Sequence, residues 1–315
     1  MKIIFSTKSK NHWFSGTYFS FQSLSKFQKY FFDDLNIEFI NRENIDDKDL
    51  DKNLDKDIDG ILYYIQDDNN FADNKLNIML CVENCYYWNH YIHYNKYKNY
   101  NNNKIKIYFY NHIDKIEKTN DYISIPVIYS QMNFLQKYYH EIKPSIQTPF
   151  EKKKNCLIAT SLNNQDKKNI SNILYFLFNT CDFISDKKDI VGNKSCYNDT
   201  ELLNLFNQYK FVFVSENSII DGYITEKIFN CFFSRTIPIY FGSEKIDYFF
   251  NQKTFINLNN YKNSNDFIKQ IKNINDENTY DSIINTKIIN DNYNDENYKS
   301  IVNEFIKENI KNPIL

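Results

Sequence analysis

Glycine and proline are scarce in this chain, five of each among 315 residues. No Walker or Rossmann glycine fingerprint occurs, so the two best-known glycine-rich phosphate loops are excluded. Arginine is scarcer still: Arg42 and Arg235 are the only two, and Ala72 and Ala159 are the only alanines. An excess of one charge is also missing. Lys and Arg total 38 against 40 Asp and Glu, a net charge of −2, which argues against a dedicated nucleic-acid binder with its strong basic footprint. No apolar stretch approaches the roughly 20 residues that span a bilayer. The opening MKIIFSTKSKNHWF offers only Ile3, Ile4 and Phe5 as a run, too short for a signal-peptide core. A soluble cytoplasmic protein with no membrane anchor is therefore expected, with the sequons at Asn169, Asn193 and Asn198 unmodified. The six cysteines form no CxxC pair, so no metal site is expected. Cys156 and Cys231 lie in apolar runs and read as small core residues. His90 and His93 have HxxH spacing but no evident third ligand.

What is abundant is aromatic: 26 Tyr and 27 Phe. Asn, Lys, Ile, Tyr and Phe share AT-rich codons, so this load reflects base composition and is given no function. The hydrophobic fraction of 42% and charged fraction of 25% are those of an ordinary globular protein. At roughly 100–200 residues per domain, two domains are expected. We divide the chain into an N-terminal domain at 1–148, a C-terminal domain at 149–295 and a tail helix at 296–315 that packs back on the domains. Short apolar runs predict strands at 2–5, 37–40, 60–65, 77–82, 104–110 and 122–127, with a helix at 21–32. Pro144, Pro149 and Lys152 to Lys154 mark a linker at 143–155. Beyond it, strands are predicted at 156–160, 211–214, 236–241 and 254–258, and helices at 169–179, 223–234 and 264–274. Strands alternating with helices predict parallel sheets with right-handed crossovers.

Ligands in such sheets bind beyond the carboxyl ends of the strands. Two loops there are rich in polar groups. The first, SENSIIDGYITEK, covers 215–227. Its Glu226 and Lys227 fall in the first turn of a helix, where backbone N–H groups favour an anion and Lys227 adds a mobile positive charge. Glu226 can accept hydrogen bonds from sugar hydroxyls, Tyr223 offers a flat ring, and Gly222 lets the loop turn. A plain helix cap with a surface Glu–Lys pair is the competing explanation. The second loop begins at Glu83 and Asn84, where an acid at a strand end can act as a general base or merely cap a neighbouring helix.

Residues 209–261 closely resemble the signature segment of glycosyltransferase family 10, the alpha-1,3/1,4-fucosyltransferases, in their soluble bacterial form. The matching residues are Glu216-Asn217-Ser218, then Tyr223-Ile224-Thr225-Glu226-Lys227, then Thr236-Ile237-Pro238-Ile239-Tyr240 with Gly242, then Phe255-Ile256-Asn257. Cys81 to Asn84 (CVEN), Ile125-Pro126 and Val191 to Ser195 (VGNKS) are weaker similarities.

The resemblance implies a GT-B fold, two Rossmann-like domains facing a cleft. It implies transfer of L-fucose from GDP-fucose, with inversion, to a glycan hydroxyl such as O3 of GlcNAc or Glc. It also implies a role in protein glycosylation. GDP-fucose is then a substrate, and neither a cofactor nor a metal for the phosphates is expected. By match, Asn217, Tyr223, Glu226 and Lys227 line the donor site, with Lys227 on the diphosphate and Glu226 on donor hydroxyls. Glu83 is the base. Trp88, near Glu83, is a minor candidate for stacking on the acceptor sugar; for Trp13 core packing is expected. Three departures stand out. Bacterial members carry a donor-site arginine soon after the first strand of the second domain, where this chain has Lys167 or Lys168. Ser215 replaces the Phe usual before Glu216, and DFISDKKD replaces a glycine-rich stretch. They leave two alternatives: a transferase for another GDP-sugar, or an inactive homologue that binds nucleotide or glycan. Arg235 is a further basic candidate, with helix-dipole compensation as its competing role.

Overall fold

The computed structural model describes residues 2–5, 38–40, 60–64, 76–80, 106–110, 122–126, 128, 132, 135 and 136. It also describes 139–294 apart from 161, 163, 180, 185–199, 220, 221, 262 and 275, and 300–308 apart from 302 and 306. The chain divides into two units, Met1–Phe134 with Asn294–Leu315, and Leu135–Tyr293. Glu83, Trp88, Trp13, His90, His93 and the helix expected at 21–32 lie outside the described residues.

The first unit holds a six-stranded sheet of β1 (Lys2–Phe5), β2 (Glu38–Ile40), β3 (Gly60–Tyr64), β4 (Leu76–Leu80), β5 (Lys106–Tyr110) and β6 (Tyr122–Pro126). Its order is β2-β1-β3-β4-β5-β6, and every pairing is parallel. All six strands fall where short apolar runs predict them. In the tail, the described residues 300, 301, 303–305, 307 and 308 are helical, and Phe305 is buried.

The second unit starts its sheet at β7 (Lys154–Ala159), followed by α1 (Gln165–Phe178), β8 (Asp182–Ile184), α2 (Thr200–Asn207) and β9 (Tyr209–Ser215). It continues with α3 (Glu226–Phe233), β10 (Ile237–Phe241), α4 (Ile246–Phe249), β11 (Ile256–Asn257), α5 (Ser264–Ile274) and α6 (Glu277–Ile284). The five strands run in the order β11-β10-β9-β7-β8, all parallel. Central β9 is buried along nearly its whole length, as a strand covered on both faces must be. Its Phe211 and Phe213 point one way, into a core with Leu174 and Phe178 of α1, Phe267 and Ile271 of α5, and Tyr280 of α6. Cys156 belongs to that core, and Cys231 of α3 is also fully buried. Two parallel α/β units of this kind make the GT-B class of architecture.

The stretch at 143–155 lies inside the second unit. Asn204 and Asn207 of α2 hold it: the Ser145 hydroxyl donates to Asn204 Oδ1 at 3.1 Å, and the Thr148 amide donates to Asn207 Oδ1 at 2.7 Å. The strand expected at 254–258 shrinks to two residues. Asn251 and Asn257 accept from the amides of Lys253 and Asn259 and wind the flanks into 3-10 turns. Among the described residues, no helix is long and apolar enough to cross a membrane.

Candidate functional site

The second sheet reverses its strand order at β7. The chain leaves β7 for β8 on one side and returns to β9 on the other. The region beyond the carboxyl ends of β7 and β9 at such a switch point is the usual ligand position in sheets of this kind. Two buried hydroxyls, Thr160 after β7 and Ser215 ending β9, hydrogen-bond each other there. The Ser215 that replaces the family's Phe thus ties the two strands together at the switch point. The ladder runs one residue further, with the Glu216 amide donating to the Phe241 carbonyl at 2.9 Å.

Glu216 is the pivot of the site, and its side chain is fully buried. Its Oε1 accepts from the Thr225 amide at 2.9 Å, and its Oε2 from the Thr225 hydroxyl at 2.7 Å. The Lys227 ammonium lies 3.4 Å from Oε2, and the Tyr240 hydroxyl lies 3.5 Å from Oε1. Burial pushes the Glu216 carboxyl above its ordinary range, opposed by the Lys227 charge and aided by that of Glu226. Burial, then the Glu216 charge, pushes the Tyr240 hydroxyl up as well. Gly242 permits this packing. A Cβ there would lie 2.4 Å from Tyr240 Oη and 2.7 Å from Glu216 Cγ.

Thr225 is the N-cap residue of α3, but its side chain makes no cap hydrogen bond. Its hydroxyl instead donates to Glu216 and accepts from Lys227 Nζ at 2.8 Å. The first-turn amides are therefore not closed by their own cap, and they point to where an anion is stabilised. Gly222 turns the loop at φ 81, donating its amide to the Ser243 hydroxyl at 3.0 Å.

The expected donor residues occupy this edge in different ways. Lys227 and Glu226 lie together in the first turn of α3, with Lys227 Nζ 3.4 Å from Glu226 Oε1 and both side chains about one-fifth exposed. Asn217 follows Glu216 in the loop and is half-buried. Tyr223 is buried, with only 1% of its surface exposed, so its ring is packed within the protein in this state. Lys167, in the first turn of α1 after β7, is also buried, whereas Lys168 is exposed. Of the two lysines near the family's arginine position, Lys167 is the one turned inward. Glu216 belongs to the motif, but the sequence alone assigns it no role. One acid in a loop has no periodicity, and its partners Thr225 and Tyr240 meet it only through the fold. The signal that points to it is a Glu closing an apolar strand just upstream of a Thr-Glu-Lys helix start.

Arg235 is at the opposite, amino-terminal edge of the sheet. It follows α3 in the left-handed region at φ 55. The Arg235 amide donates to Phe232 O and the Thr236 amide to Cys231 O, closing a Schellman turn that usually takes glycine. Its guanidinium lies 3.6 Å above the Tyr139 ring centroid and donates to the Tyr139 carbonyl at 2.9 Å. Burial lowers its pKa to about 10. It lines a cleft of about 270 Å³ with Lys153, Asn207 and Tyr280, on the far side of the sheet from Lys227.

Comparison with known proteins adds four matches. Residues 150–285 match the model "Glycosyltransferase family 10 (fucosyltransferase) C-term". An alpha-(1,3)-fucosyltransferase of Helicobacter pylori is 43% identical over 82 residues, 26% of this chain and 17% of that protein. GDP-fucose protein O-fucosyltransferase 3 of Gallus gallus is 29% identical over 124 residues, 39% of this chain and 22% of that protein. The matches thus span about a fifth of the length of these curated relatives. A crystal structure of an alpha1,3-fucosyltransferase with GDP-fucose superposes with a TM-score of 0.57 at 18% identity, covering 100% of this chain and 91% of that one. It shares the fold. Residues 150–285 belong to glycosyltransferase family 10, as its C-terminal fucosyltransferase domain.

Proposed function

We propose that this protein is an inverting, metal-independent fucosyltransferase that moves L-fucose from GDP-fucose to a hydroxyl of a glycan acceptor, O3 of GlcNAc or Glc in the first instance. The observation that carries this reading is the cluster at the switch point. The family's Glu-Asn-Ser and Tyr-x-Thr-Glu-Lys residues converge there, with Lys227 at a helix start that Thr225 does not cap. In this reading, Lys227 and the first-turn amides of α3 stabilise the diphosphate as it leaves. Glu226 and Asn217 bind donor hydroxyls, and Lys167 adds charge beside β7. Tyr223 lines the site from within the protein. Glu83 of the first unit takes the proton from the acceptor hydroxyl as its oxygen attacks the anomeric carbon and GDP departs. Glu83→Gln abolishes turnover, by about 10²–10⁴-fold, while GDP affinity stays unchanged; a fully active variant overturns that role.

The test of donor identity is thermal unfolding with GDP, GDP-fucose, GDP-mannose, UDP and UDP-galactose. A ligand at about 100 times its dissociation constant adds roughly 2.7 kcal/mol of stability. Stabilisation by GDP and GDP-fucose alone supports the reading. The inward lysine at 167, where bacterial members carry an arginine, favours one second reading, a different GDP-sugar. Equal stabilisation by GDP-mannose would select it. GDP binding with no transfer to any acceptor of a glycan panel would identify an inactive binding homologue.

A further inference from the structure

Lys227 has a competing partner. The ammonium assigned above to the donor diphosphate is 3.4 Å from the buried Glu216 Oε2. Among the described residues, the titratable groups facing Glu216 are Lys227 and Glu226 from α3 and Tyr240 from β10. With both carboxylates ionised, the Glu216–Glu226–Lys227 cluster carries a net negative charge, the wrong sign for a diphosphate. A diphosphate arriving at Lys227 brings further negative charge beside a carboxylate already out of water. Like charges at such distances disfavour the ionised form.

Glu216 cannot relieve this by moving toward β10. The approach of Gly242 to its Cγ is so close that even an added methyl would overlap it. A proton relieves it without movement. The neutral acid still accepts from the Thr225 amide through its carbonyl oxygen. Its O–H can donate to Thr225 Oγ1, whose hydroxyl rotates to accept. The start of α3 stays held while the full charge of Lys227 faces the phosphates.

We propose that Glu216 is a positioning residue that exchanges its ion pair with Lys227 for a proton when a nucleoside diphosphate binds, so that donor binding takes up about one proton from solvent. The O–H bond on Glu216 is the one bond formed, and the proton returns to solvent when GDP leaves. The inference rests on the donor reading above. The upward push of burial on Glu216 is in the same direction.

The test is the affinity for GDP by calorimetry, wild type against Glu216→Gln, between about pH 7.5 and 8.5, where the terminal phosphate of GDP is already ionised. The wild type loses up to about tenfold in affinity per pH unit. In Glu216→Gln that dependence is absent, and the variant binds more tightly than wild type at the upper end. A flat wild-type profile, or the same slope in both proteins, overturns the proposal. Should the variant not fold, titration of the wild type in two buffers of different ionisation enthalpy decides. Uptake of about one proton supports the proposal and none overturns it. A wild type that binds no GDP at any pH overturns the donor reading itself, and this proposal with it.

Discussion

The two edges of the second sheet are built on different principles. At the carboxyl edge, charged groups constrain one another. Glu216 holds Thr225 and Lys227, Lys227 reaches Glu226, and Gly242 and Tyr240 wall in the carboxylate. At the amino edge, polar groups stitch backbone. Asn207 accepts from the Thr148 amide and donates to the Ser234 carbonyl at 2.8 Å, and Tyr280 donates to the Arg235 carbonyl at 3.1 Å. Both edges are polar and half-buried, and both contain a basic residue that the sequence marks as a candidate. Among the described residues, the carboxyl edge is the one that places a cation beside a helix start whose cap residue is otherwise engaged. What separates a site from a scaffold here is the placement of charge relative to strand ends.

The largest expected break in this contrast comes from Gly242→Ala. Overpacking against buried Tyr240 and Glu216 costs about 1–3 kcal/mol and weakens GDP binding. Melting and calorimetry read both effects together. Asn207→Ala is the matched cut at the other edge. It strands a half-buried amide and a buried carbonyl at about 1–3 kcal/mol, a melting loss of roughly 2–4 °C per kcal/mol, while GDP affinity stays unchanged. A weakened GDP affinity there would erase the distinction between the edges.

A third, smaller effect is a pH dependence of stability. The folded pKa of Glu216 is raised, so its contribution is complete below the unfolded value, near 4.5, and is lost as pH rises through the folded value. Glu216→Gln has no such loss. The melting difference between variant and wild type therefore shifts in the variant's favour from acid to neutral pH, and a constant difference contradicts the assignment. The smallest effect is Arg235→Gly. It removes a left-handed penalty of about 1–2 kcal/mol but gives up a Tyr139 ring contact of about 0.5–1 and a hydrogen bond to the Tyr139 carbonyl of about 0.5–1.5, for a net change near zero and no change in GDP affinity.

Much of the fold was legible because parallel strands read as short apolar runs. FVFV at 211–214 becomes β9 and TIPIYF at 236–241 becomes β10, each within two residues. Helix starts were less legible. Periodicity marks a helix from 169, but α1 begins at Gln165, because the exposed Asn164 caps it by accepting from the Lys167 amide. Apolar spacing suggests a helix from 223, but α3 begins at Glu226, because Glu216 holds Thr225 in an extended conformation. The sequence predicts neither β8 nor α2: β8 is a three-residue edge strand, and α2 is short. In the candidate site, the motif pointed to Lys227 and Glu226 by resemblance. The role of Glu216 depends on side chains from β9, β10 and α3 meeting in space, which no local pattern carries. Arg235 closes its Schellman turn without the glycine that would have announced it.

The central claim is that Lys227, at the carboxyl edge, holds the nucleotide diphosphate. Calorimetric titration of GDP into wild type, Lys227→Ala and Arg235→Gly tests it most directly. Loss of a charge-assisted hydrogen bond worth about 1.5–3 kcal/mol predicts roughly 10–100-fold weaker binding in Lys227→Ala and wild-type binding in Arg235→Gly. Equal affinity in wild type and Lys227→Ala, or a loss confined to Arg235→Gly, would contradict it.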